Sequence, residues 1–174
     1  MIVEYLDGAL SEKEKIEIKD SSYKDICFSC YKPYFTNAAF DELIGQIIVW
    51  LSSDEVNAVV NATEIAGVIF AVIKFIVAKA KQKKYTQLTY KKQTLCPMNA
   101  IIQVDNVRIL QPDDCDEISL EDYLEMALSL VASSSSPDVE MVISYNEGLH
   151  FETLEQYVLR KTNIIINKGG ENEV

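Results

Sequence analysis

The sequence predicts an α+β fold: a mainly antiparallel sheet packed against a helical hairpin (about 37–51 and 54–84) and a third helix (about 119–132). Three observations carry that expectation. Apolar residues recur at helical spacing in three stretches, and short alternating runs bounded by turn residues lie before and after them. Hydrophobic residues also make up 48 % of the chain, enough for a core between a sheet and its helices. A chain of 174 residues fits one domain and should bury roughly 70 % of its unfolded surface. That domain is expected over 1–167, with a flexible serine-rich connector at 133–137 and a frayed tail at 168–174.

Met1 to Leu6 reads as the first strand, and Ser11 to Lys15 as a helical turn or charged loop. Ile16-Glu17-Ile18-Lys19 alternates, Asp20-Ser21-Ser22 supplies a turn, and Tyr23 to Phe28 follows as the return of a hairpin. After Pro33 the period changes. Thr36 or Asn37 can cap a helix whose face is Phe40, Leu43, Ile44, Ile47, Ile48 and Leu51. Ser52 with Glu55 forms a capping box, so a second helix starts there. Its stripe runs through Val56, Val59, Val60, Ile65, Val68, Ile69, Val72, Ile73 and Ile76 to Ala80.

Tyr85 to Thr94 alternates as a strand. Ile101–Val104 and Val107–Leu110, joined by Asp105-Asn106, make the clearest hairpin, because both turn residues tolerate positive φ. Ser119 and Asp122 cap the third helix, with Leu120, Tyr123, Leu124, Ala127, Leu128 and Val131 on its inner face. Val139 to Tyr145 is a strand, Asn146-Glu147-Gly148 a turn and Leu149 to Phe151 its return. Thr153 can cap a short helix through Lys161, and Ile164-Ile165-Ile166 reads as a last strand.

Charge is distributed unevenly. The net charge is −11, yet no acid occurs between Glu64 and Asp105, where seven lysines stand. Ile65 to Ala78 lacks acids because burial excludes lone carboxylates, which leaves Lys79, Lys81, Lys83, Lys84, Lys91 and Lys92 as a basic surface. A spanning helix needs about 20 mostly apolar residues; Lys74 and Glu64 interrupt any such window, so no membrane span is expected. The N-terminus has no basic region and long apolar core, and the four cysteines are irregularly spaced, which points to a reducing, cytoplasmic setting.

Cys27-Phe28-Ser29-Cys30 carries the one named chemistry. Zinc would need two further ligands from Cys96, Cys115 and His150, and Cys96 and Cys115 do not form a second knuckle. A redox pair would open a helix, where the dipole lowers the first thiol's pKa, but Tyr31-Lys32-Pro33 intervenes. His150 alternates with Leu149 and Phe151 and no nucleophile elbow accompanies it; the six glycines build no phosphate loop. No metal or cofactor is expected.

The acidic cluster Asp113, Asp114, Asp116, Glu117, Glu121, Asp122 and Glu125 misses the spacing of a calcium loop. It fits the N-terminal pole of a helix, and its density also suits a surface that imitates phosphates in a basic groove. The leading expectation is therefore a non-enzymatic binding protein, of inhibitor, immunity or anti-defence type, that presents these carboxylates to a protein with a basic surface. A homodimer through the apolar helix 65–80 is a further expectation, and DNA is not an expected partner because −11 repels a phosphate backbone. The alternative is a small enzyme, ligand-binding or zinc protein using Cys27, Cys30 and His150. The third is contact of the lysine-rich segment 79–92 with a membrane surface or nucleic acid.

Overall fold

A computed structural model describes residues 1–6, 10–21, 25–31, 42–57, 59–82, 88–90, 93–112, 118–134 and 137–170. It shows an α+β fold with a mixed sheet, in which antiparallel pairings outnumber parallel ones. Strand order is β2-β1-β3-β5-β6-β7-β8, with the short β4 beside the start of β5.

β1 (Ile2–Leu6) and β2 (Cys27–Tyr31) pair in parallel, so the chain must cross back between them, and α1 (Glu12–Ser21) makes that crossing. Here the hairpin expected from Ile16–Lys19 and Tyr23–Phe28 is replaced by a helix. Ser11 and Glu14 form a reciprocal cap at its start: the Ser11 N–H donates to the Glu14 carboxylate at 2.8 Å and the Glu14 N–H to Ser11 Oγ at 3.4 Å. In a strand Ile16 and Ile18 would share a face; in α1 Ile18 is 3 % exposed and Ile16 58 %. Lys15 and Lys19 lie over the rings of Tyr5 and Phe28, which places α1 on the face those rings share.

The larger correction concerns the helix expected at about 37–51. Glu42–Leu51 is β3, antiparallel to β1 and parallel to β5 (Gln93–Val104); the beginning of the expected helix lies outside the described residues. Apolar spacing at 43, 44, 47, 48 and 51 satisfies a helix, but a short run of this length satisfies a buried strand as well. Ile47, Ile48, Val49 and Trp50 are β-branched or aromatic, which suits a pleated surface, and pairing on both sides decides the matter. The register with β5 shifts between Ile44 and Gln46: Gly45 of β3 stands opposite both Pro97 and Met98, so the extra residue of the bulge belongs to β5, at a proline that has no N–H to give the ladder.

Because β3 and β5 are parallel, a second crossover is required. α2 (Ser53–Val56) and α3 (Val59–Gln82) supply it, splitting the expected helix 54–84 near Asn57. The capping box appears as read: the Ser52 N–H donates to Glu55 at 2.9 Å. Asp105, from a turn more than fifty residues away, takes the Ser53 N–H at 2.9 Å and so satisfies another free donor of α2. The α3 stripe of Ala62, Ile65, Ala66, Ile69, Val72, Ile73 and Ile76 is buried in the core. β4 (Leu88–Tyr90) precedes β5. β5 then turns into β6 (Val107–Leu110) through Asp105, whose φ of 45° an aspartate tolerates.

The third parallel pair, β6 with β7 (Met141–Tyr145), is bridged by α4 (Leu120–Ser133). Ser119 caps α4, its Oγ accepting from the Asp122 N–H at 3.1 Å. Tyr123, Leu124, Ala127, Leu128 and Val131 enter the core, and Tyr123 Oη donates to the Ile143 carbonyl at 3.2 Å. Glu147 (φ 54°) and Gly148 (φ 139°) turn β7 into β8 (Leu149–Thr153). Thr153 and Gln156 then cap α5 (Leu154–Gly170) reciprocally. The strand expected at Ile164–Ile166 is part of α5. Once a helix is nucleated, each added residue gains a hydrogen bond, and that outweighs the few tenths of a kcal/mol that β-branched residues lose there.

α1, α3 and α4 cover one face of the sheet, whose residues Val3, Tyr5, Ile47, Val49, Ile102, Ile109 and Ile143 are fully or nearly fully buried. α5 lies against the other face, over β7 and β8: Arg160 donates to Glu152 and, at 2.9 Å, to Ser144 Oγ. No helix among the described residues is long and apolar enough to cross a membrane.

The start of α2 also has a pH consequence. Partial burial raises the Glu55 pKa, but the Ser52 N–H and the Met1 amino nitrogen 3.0 Å away outweigh it, so the carboxyl ionises below its ordinary range. A depressed folded-state pKa contributes stability that is present above the unfolded-state value and is lost as pH falls through the folded one. Urea midpoints of the wild-type protein should therefore fall with acid partly on account of Glu55, and Glu55→Gln should lower stability at neutral pH while flattening that acid limb. Parallel pH profiles of the two proteins would contradict this.

Candidate functional site

Two surfaces stand out, one on each side of the sheet. On the helical side, the inward commitment of Tyr123, Leu124, Ala127 and Leu128 turns Glu121, Asp122 and Glu125 outward, and all three are exposed. Asp122 is held by Ser119 Oγ at 2.6 Å, and Glu125 accepts from Thr63 Oγ1 of α3 at 3.1 Å. Glu64, the residue after Thr63 on α3, is also exposed, as is Met126, the residue after Glu125 on α4. No cation among the described residues pairs with Glu64, Glu121, Asp122 or Glu125. Asp113, Asp114, Asp116 and Glu117, the denser half of the sequence cluster, lie outside the described residues.

The lysine-rich segment is described only in part. Lys79 is half-buried on α3, 5.0 Å from the centre of the Phe75 ring and 3.9 Å from Glu17 of α1. Its charge therefore serves the packing of α1 on α3 as much as any ligand. Lys81 belongs to α3, its side chain outside what is described, and Lys83, Lys84, Lys91 and Lys92 lie outside the described residues altogether.

Cys27 and Cys30 are exposed free thiols on β2. Successive strand residues point to opposite faces, so two cysteines three apart are on opposite sides of the sheet. The register confirms it: Cys27 aligns with Ile2, and Cys30 with the buried Tyr5. That arrangement suits neither one shared ion nor a direct disulfide, both of which need the sulfurs to converge. Cys96 is in β5 with its side chain not described, and Cys115 lies outside the described residues. Among those described, no group of three His, Cys, Asp or Glu residues converges on a common point.

His150 faces Ser144 across the β7–β8 ladder. The pair does not form a nucleophile and base. His150 Nε2 lies 2.9 Å from the Asn146 carbonyl, which can only accept, so that nitrogen carries the hydrogen. Ser144 Oγ accepts from Arg160 instead, and Glu152 is engaged by the same guanidinium. The network fastens α5 to the sheet.

The second surface escaped the sequence reading. Beyond the edge of α5, the far face of β1, β3, β5 and β6 carries Ile2 and Trp50, 47 % and 42 % exposed, with Ile48, Ile101 and Leu110 half-buried around them. An apolar face rimmed by polar groups marks an interaction surface in a soluble domain. The signal was present in the alternation of Ile47, Val49 and Leu51 with Ile48 and Trp50, but assigning 37–51 to a helix concealed it.

Comparison with known proteins gave no match: no family model, no curated protein and no solved structure resembles this chain. The helical α3 stripe, which suggested a homodimer through 65–80, faces the protein's own sheet and helices. Between Ile65 and Lys79, the residues that α3 leaves exposed, Ala71, Lys74 and Ala78, are small or charged.

Proposed function

We propose that this chain is a non-enzymatic binding module that receives a basic protein surface on the acidic side of α3 and α4. The observation that supports the reading is the set of exposed carboxylates of Glu64, Glu121, Asp122 and Glu125, spread over two packed helices and without a cationic partner among the described residues. Burying a protein's own salt-paired acids against a partner would sacrifice existing ion pairs; acids without a cationic partner attract a basic surface from a distance, and the pairs formed on docking offset their lost hydration without breaking any ion pair among the described residues. Thr63 restrains Glu125, so part of the ordering cost is already met. An inhibitor, immunity or anti-defence role is the kind of task such a module performs, and Asp113, Asp114, Asp116 and Glu117, shortly before α4 in the sequence, belong to the same expected partner-binding set.

A fluorescent lysine–arginine peptide serves as the probe, its anisotropy followed through a salt series. Affinity should fall steeply with ionic strength. The variant Glu121→Lys, Asp122→Lys, Glu125→Lys should lose about tenfold or more, with like charges now opposed. A control with the same charge change at Asp138, Glu147 and Glu155, exposed acids away from α4, should lose much less. Equal losses in the two variants would mean that net charge alone is being read and would remove this surface from consideration.

A further inference from the structure

We draw no further inference here: the strongest candidate, the open sheet face of β1, β3, β5 and β6 around Ile2 and Trp50, carries nothing because no feature of the structure shows what covers it.

Discussion

Alanine at Ile47 should destabilise the fold by about 2–5 kcal/mol, the cost of emptying a tightly packed site, whereas alanine at the adjacent Ile48 should cost under about 1.5 kcal/mol. Val49→Ala should resemble Ile47→Ala, at the lower end because less volume is removed, and Trp50→Ala should resemble Ile48→Ala. The reasoning is the alternation of β3. Ile47 and Val49 are fully buried beneath the helices, while Ile48 and Trp50 point to the open face. A helix over the same residues would put Ile44, Ile47, Ile48 and Leu51 together and make Ile47 and Ile48 equally costly. Urea midpoints at unchanged m-value separate the two patterns.

The second large effect is expected at Tyr123. Its ring is fully buried between α4 and the sheet, edge-on to Tyr145 at a centroid distance of 6.1 Å. Tyr123→Ala should cost about 3–5 kcal/mol. Tyr123→Phe should cost only about 1 kcal/mol, since it keeps the packing and deletes the hydrogen bond to the Ile143 carbonyl. Burial pushes the Tyr123 hydroxyl pKa well above the ordinary tyrosine value, with a smaller contribution from Tyr157, so the phenol stays a neutral donor across the physiological range. Thermal unfolding of the two variants tests the division between packing and hydrogen bond. If phenylalanine were as damaging as alanine, the hydrogen bond between α4 and β7 would outweigh the ring's packing, and the packing account would fail.

What the sequence made legible is whatever depends on neighbours in the chain. Ser52 with Glu55, Ser119 with Asp122 and Thr153 before α5 each announce a helix start, because a cap joins residues three apart. Asp105-Asn106 announces the β5–β6 hairpin, because a turn is a local steric event. The outward carboxylates of α4 follow from its 3.6-residue period, so Glu121, Asp122 and Glu125 could be placed from spacing alone. The failures share a cause too. Ile16 to Lys19, 42–51 and Ile164 to Ile166 are short apolar or alternating segments whose local preferences barely separate helix from strand.

The sequence by itself determined the α+β class, the caps, the β5–β6 and β7–β8 hairpins and the polarity of α4, since each is settled by residues within a few positions of one another. Only the tertiary structure decided that β3 is a strand, that three parallel pairs are bridged by α1, α2–α3 and α4, and that Trp50 emerges on an uncovered face. The physical reason is that strand identity and exposure belong to the pairing. β3 becomes a strand because β1 and β5 satisfy its backbone, and Trp50 is exposed because α5 stops over β7 and β8.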